Sequence, residues 1–336
     1  MLTERTHISI RVPPGEHRLP ELADFAARCE DAGLDGIGVP DHHHIGRDAY
    51  MVLAAMAHTT DRLTLFPATS NVVTRHPMVI ASLINSLAEL APGRVLLTCA
   101  PGFLSVEKTG EAMTPRAQLA ETLPVLRELL NSGVSAYRGT ELELLNRPDG
   151  GVRVVLLASG PKMLELAGEV ADGVMMLVGL NPGSVEAARH HIRMGAERSG
   201  RDPASLQEIF IVPFGLGSLT DVRAWPQSWF RDGRQWLKYP SASNLTWLRY
   251  AGVDLDAEYD PTDISDETAD RICHEFGLFG PPEHCAERLL QAREDIGLKR
   301  VFLFPAHTHA NHYELPYREI EAFQDVIGPA LKSAGA

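Results

Sequence analysis

The sequence lacks any basic run of the kind that gathers on nucleic acid or an anionic membrane. Lysine and arginine together number 31 against 44 aspartates and glutamates, a formal net charge of −13, so polyanionic partners are disfavoured. Cysteine is scarce. Cys29, Cys99, Cys273 and Cys285 stand far apart without a CxxC pair, so neither a disulfide framework nor a thiolate zinc site is expected, and a reducing compartment is the simplest setting. Nowhere do 18 consecutive apolar residues occur, which leaves no candidate spanning helix. Met1 to Arg11 alternate polar and apolar residues and hold no signal-peptide core, so the expected location is the cytoplasm.

What is present is a repeating pattern. Across 336 residues, 44% of them hydrophobic, short β-rich apolar runs alternate with polar turns and longer stretches of helical spacing, as in βαβ units around a parallel sheet. The expected strands are His7–Val12, Gly36–Val39, Leu63–Pro67, Arg94–Cys99, Val152–Leu157, Val174–Val178, Glu208–Val212 and Val301–Phe304. Helices fall between them. Leu22, Phe25, Ala26 and Cys29 follow the i, i+3, i+4, i+7 rule, Asp48 is placed to cap the helix of Tyr50–Ala57, and Pro77 and Pro161 open others. Eight such units favour a closed (β/α)8 TIM barrel over an open doubly wound sheet, as one α/β domain over residues 1–336. The longest irregular stretch, 214–280, follows the seventh strand and holds Trp225, Trp229, Trp236 and Trp247. It reads as an insertion within the barrel, either a substrate lid or a satellite core under a long loop.

In a parallel barrel the chemistry sits where strands end. Asp41-His42-His43-His44 follows the second strand directly; histidine exchanges protons near neutral pH and an adjacent carboxylate tunes it. Successive extended residues point to opposite sides, so His42 is the expected catalytic group, with His43 and His44 at the rim. Ala68, Thr69, Ser70 and Asn71 follow the third strand, and Pro101 and Gly102 the fourth. They offer close backbone approach and hydrogen bonds to a ligand. Ala158, Ser159, Gly160, Pro161 and Lys162 put small residues before a helix N-terminus, where a phosphate or a plain capped turn both fit. His307, His309 and His312 follow the eighth strand; with His42–His44 they make a metal-dependent hydrolase an alternative, although the strand ends lack the carboxylates such sites recruit and no metal is expected.

Together the blocks Glu30-Asp31-Ala32-Gly33-Leu34-Asp35-Gly36 through His42, Thr74-Arg75-His76-Pro77, Pro92-Gly93-Arg94-Val95-Leu96-Leu97 and Ala158 through Val174 resemble the luciferase-like flavin and deazaflavin oxidoreductases over nearly the whole chain. The last block is similar to the branch that uses coenzyme F420, which includes methylenetetrahydromethanopterin reductases. The resemblance implies hydride transfer between F420 and a small organic substrate; the alternative is an FMN-dependent monooxygenase using molecular oxygen. It implies a cis peptide at Ala68–Thr69 behind the deazaflavin ring, ring contact from Asp41, proton handling by His42, and phosphate binding at Ser159 and Gly160. Where the sugar-phosphate dehydrogenases of this superfamily carry a Glu after the fourth strand, this chain has Phe103, which with the tryptophan-rich insertion suggests an apolar or aromatic substrate. The expected partner is that small molecule, and the expected assembly a homodimer.

Overall fold

Strands that are buried on both faces need apolar side chains throughout, and the runs that meet this condition close into a ring in the computed structural model. The described residues are 5–147, 149–229, 242–256, 259–307 and 311–335; Trp236, His309 and the side chain of Trp229 fall outside them. The ring is built from β1 (His7–Arg11), β2 (Gly36–Val39), β3 (Thr64–Pro67), β4 (Leu97–Cys99), β7 (Val154–Leu157), β8 (Gly173–Met176), β9 (Gln207–Leu216) and β11 (Arg300–Pro305). Their order is β3-β2-β1-β11-β9-β8-β7-β4, all parallel. The seam between β3 and β4 closes through the bridges Leu65–Val95 and Ser70–Cys99, with Leu65 N donating to Arg94 O at 2.8 Å and Ser70 N to Thr98 O at 2.9 Å. This is the expected (β/α)8 barrel.

Its interior is filled by alternating large and absent side chains. Phe66 and Phe302 meet edge to face at 5.4 Å, and a Cβ on Gly38 would lie 2.6 Å from each ring. Helices α1 (Leu19–Asp31), α2 (Ala49–Ala57), α3 (Pro77–Leu90) and α5 (Arg116–Ser132) cover the first half; α4 (Leu104–Glu107) is a single turn beside them. On the second half, α6 (Pro161–Val170) and α7 (Pro182–Arg198) touch backbone to backbone, since a Cβ on Gly195 would sit 1.8 Å from the Glu165 carbonyl oxygen. Asp48 caps α2 as expected, accepting from Tyr50 N and Met51 N. The α6 cap is Gly160 rather than Ser159, whose hydroxyl instead accepts from Leu177 N at 3.3 Å.

Two features depart from the expected pattern. A surface hairpin, β5 (Val134–Tyr137) with β6 (Thr140–Glu143), lies between α5 and β7. The seventh strand also runs on to Leu216, where β10 (Leu278–Gly280) pairs with its far end. Stretch 214–280 otherwise holds the helices α8 (Ala242–Tyr250) and α9 (Asp266–Phe276). Trp225 is buried at 4.6 Å from the Phe279 ring, a small apolar cluster, whereas Trp247 reaches back to donate to Ser159 O at 2.7 Å. The chain closes with α10 (Pro282–Ile296), α11 (Tyr317–Ala322) and α12 (Gly328–Gly335). Among the described residues no helix is long and apolar enough to cross a membrane.

Candidate active site

Because every barrel strand runs the same way, the loops after β2, β3, β4, β7 and β11 gather at one mouth, and each expected site residue among those described lies there. His42 is the first side chain beyond the end of β2 that remains partly open; Asp41 before it is fully buried. The Asp41 carboxylate is gripped by Arg75, at 2.5 Å and 3.2 Å, and Arg75 also reaches Asp48 at 2.7 Å. Burial raises the Asp41 carboxyl above its ordinary value while the guanidinium pulls it back. His43 turns to Thr74 Oγ1 at 3.2 Å and sits 3.6 Å from Asp41. This cluster ties the loop after β2 to the loop after β3.

His42 faces the other way. Its Nδ1 is 3.1 Å from the Tyr313 hydroxyl, and the same hydroxyl is 2.9 Å from His44 Nε2. His44 is exposed at the rim and shares the Tyr313 hydroxyl with His42. Arg11, at the end of β1, donates to His312 O at 3.1 Å and to His312 Nε2 at 3.3 Å. A guanidinium only donates, so that Nε2 carries no proton. Burial first, then the charge of Arg11, pushes His42 down to about 3, and the same two causes act on His307, which donates from Nδ1 to Pro305 O at 2.9 Å. Near neutral pH His42 is a neutral imidazole, able to accept a proton rather than standing as an acid. The rings of His42, His307, His312 and Tyr313 pack against one another at 4.3–5.9 Å. Among the described residues no group of three or more His, Cys, Asp or Glu side chains is placed to hold a metal ion.

Beside the imidazoles the backbone is uncluttered. The Ala68–Thr69 peptide is cis, both residues are partly exposed, and Gly102 takes a positive φ of 81° where a Cβ would lie 2.3 Å from Val106. The side-chain bonds expected from Ser70 and Asn71 are made to the protein itself. Ser70 receives the Tyr50 hydroxyl at 2.9 Å, and Asn71 Oδ1 accepts from Val73 N, Thr74 N and Thr74 Oγ1. Across the mouth, Ala158 is buried while Ser159, Gly160 and Pro161 are half-buried and Lys162 is exposed at the start of α6. A Cβ on Gly160 would lie 3.1 Å from Ser243 Oγ, so only glycine leaves that gap open. Ser159 Oγ, having accepted from Leu177 N, keeps its own hydrogen to donate. Two hydroxyls and the N-terminus of α6 thus form a small cradle, a place that favours an anion.

A cavity of about 390 Å³ opens behind Arg11, His307 and His312, bounded by Leu216, Phe279 and Tyr317. A larger one, about 1170 Å³, lies at the opposite mouth among the strand starts, between His7, Ser9, Thr64, Gln207 and Arg300. Strand starts serve stability in barrels of this kind, so the chemistry is assigned to the imidazole end. Sequence reasoning passed over Arg11, Tyr313 and Ser243. Arg11 looked like an ordinary strand residue, and it and Tyr313 meet their partners only once the barrel closes.

Two relatives in sequence and one solved structure are similar to this chain. The 5,10-methylenetetrahydromethanopterin reductase of Methanolobus tindarius is 33% identical over 300 residues, covering 84% of this chain and 89% of that protein. The F420-dependent glucose-6-phosphate dehydrogenase of Rhodococcus erythropolis is 24% identical, with 94% of each chain covered. The coenzyme F420 dependent tetrahydromethanopterin reductase from Methanopyrus kandleri superposes with a TM-score of 0.75 over 98% of this chain and 99% of that one, at 20% identity. With the luciferase-like monooxygenase profile matching residues 4–300 as well, the chain belongs to the luciferase-like monooxygenase family.

Proposed function

We propose that this protein is an oxidoreductase that moves a hydride between coenzyme F420 and a small organic substrate, with His42 handling the accompanying proton. The observation that carries the reading is the pairing, at one barrel mouth, of a neutral His42 imidazole with the Ser159–Gly160–Ser243 cradle. The F420 dependence named for a relative aligned over 94% of the chain supports the choice of cofactor. Ser159, Ser243, Lys162 and the N-terminus of α6 would hold the phosphate, and Ala68, Thr69 and Gly102 would leave room for the ring. When bound, the deazaflavin supplies the hydride acceptor or donor; the protein supplies position and a proton site. His42, held through Nδ1 by Tyr313, presents Nε2 to the substrate. Arg11 and Arg75 fix two positive charges beside the mouth without protons to lose.

Phe103, exposed next to Gly102, and the tryptophan-bearing stretch 214–280 favour an apolar or aromatic substrate, with α8 closing over the cradle through Trp247 as a lid. Fluorescence titration with F420 and, in parallel, FMN tests the reading. Tight F420 binding with weak FMN binding is expected; FMN binding alone would turn the assignment to a monooxygenase.

A further inference from the structure

Resting on the deazaflavin reading above, we infer that Tyr313 and His44 form a proton path that links His42 to solvent. A phenol carries one hydrogen, and the Tyr313 hydroxyl lies between two ring nitrogens, 3.1 Å from His42 Nδ1 and 2.9 Å from His44 Nε2. It therefore donates to one and accepts from the other. His42 and Tyr313 are half-buried and His44 is exposed, so the array that begins at the barrel mouth ends in water. His42 and His44 also stack, with ring centroids 5.8 Å apart and planes 28° from parallel, which holds both nitrogens toward the same hydroxyl.

The path answers a difficulty in the site. Burial and the charges of Arg11, His43, His44 and His307 all oppose a proton on His42, so an imidazolium there would not persist. With Tyr313 in place it need not form. A substrate proton bonds to His42 Nε2 as the Nδ1–H bond breaks; that proton passes to the Tyr313 oxygen, whose own proton passes to His44 Nε2. No electrons change hands, and the positive charge arises on His44, which gives a proton to water. Exchange with water resets the array after product leaves, and the reverse order delivers a proton inward. His44 is well suited to release, because partial burial, Lys108 and His43 lower its affinity for the proton. The phenol of Tyr313 is raised to about 12 by burial, against the pull of Arg11, so it relays a proton without resting as phenolate. The other titratable side chain packed here, His312, is bound to Arg11 and lies against the Tyr313 ring. By this account Tyr313 and His44 are positioning and relay residues, and His42 alone touches substrate.

The test uses ring NMR on full-length protein labelled with ¹⁵N-histidine, comparing the unmodified chain with Tyr313→Phe and His44→Gln. Exchange of the His42 ring proton with water should slow at least about tenfold in both variants, the low edge of what one proton-transfer group contributes, while thermal unfolding stays unchanged. Exchange as fast in Tyr313→Phe as in the parent would overturn the path. Slowing in Tyr313→Phe without slowing in His44→Gln would also overturn it, leaving the phenol as an anchor. F420 fluorescence titration on the same samples separates the two claims: intact binding with unaltered exchange removes the path alone, whereas no binding by the parent removes the deazaflavin reading and the path's role with it.

Discussion

Lowering the pH from 6.5 to 4.5 should destabilise the fold through His42 in a way that one substitution can isolate. Folded His42 is held at about 3 against an ordinary 6.5, by burial first and then by Arg11, His44, His43 and His307. In the unfolded chain that histidine binds a proton as the pH falls through 6.5; in the folded chain it does not until the pH approaches 3. The contribution is therefore fully present above pH 6.5 and is lost as acid is added. Two pH units at about 1.36 kcal/mol each give a loss of about 2–3 kcal/mol by pH 4.5. His307, pushed down to about 3 by burial and then by Arg11, adds a term of similar size. Urea unfolding followed by tryptophan fluorescence at pH 6.5, 5.5 and 4.5 measures the slope. His42→Asn should flatten it by that amount, whatever fixed cost the substitution brings. Parallel slopes for parent and variant would refute the claim that His42 is kept neutral.

Three further outcomes follow from the same geometry. His42→Asn should retain F420 affinity and lower turnover by about 10² to 10⁴, the usual share of one general acid or base, read by steady-state kinetics with any accepted substrate. Asp41→Asn breaks a buried ion pair, although Arg75 keeps Asp48 at 2.7 Å; a loss of about 3 kcal/mol in urea unfolding is expected. Gly195→Ala would drive a methyl into the Glu165 carbonyl 1.8 Å away and pry α6 from α7, costing about 1–3 kcal/mol and weakening the cradle at the start of α6, measured by denaturation and by F420 titration together.

The barrel was legible because the same burial that makes its strands stable makes them readable. Val154-Val155-Leu156 and Val301-Phe302-Leu303 are enclosed on both faces and must be apolar throughout. Prolines at the starts of α3 and α6 marked their first turns. The hairpin of β5 and β6 left a weaker trace, since its outer residues are exposed; its signal was Arg138-Gly139, with φ of 50° and 79°, the two-residue turn that joins antiparallel strands. His42 was readable from its place after β2, because the scaffold fixes the end of a strand. Tyr313 was not, because it lies 271 positions from His42 and meets it only once the barrel closes. Ser70 accepts from the Tyr50 hydroxyl and Asn71 from its own loop, and in sequence short polar side chains that bind the protein look the same as those beside a ligand.

On the proposed reading a deazaflavin is held at one barrel mouth by the cradle of Ser159, Gly160 and Ser243. The most direct measurement is the F420 dissociation constant of the parent and of Gly160→Asp, each by fluorescence titration on protein shown to be folded by circular dichroism. The added carboxylate fills the gap facing Ser243 Oγ, 3.1 Å from the new Cβ, and sets like charge beside the phosphate. Tight binding by the parent and at least tenfold weaker binding by the variant, about 1.4 kcal/mol, are expected. Equal affinities for the two folded proteins would contradict that reading.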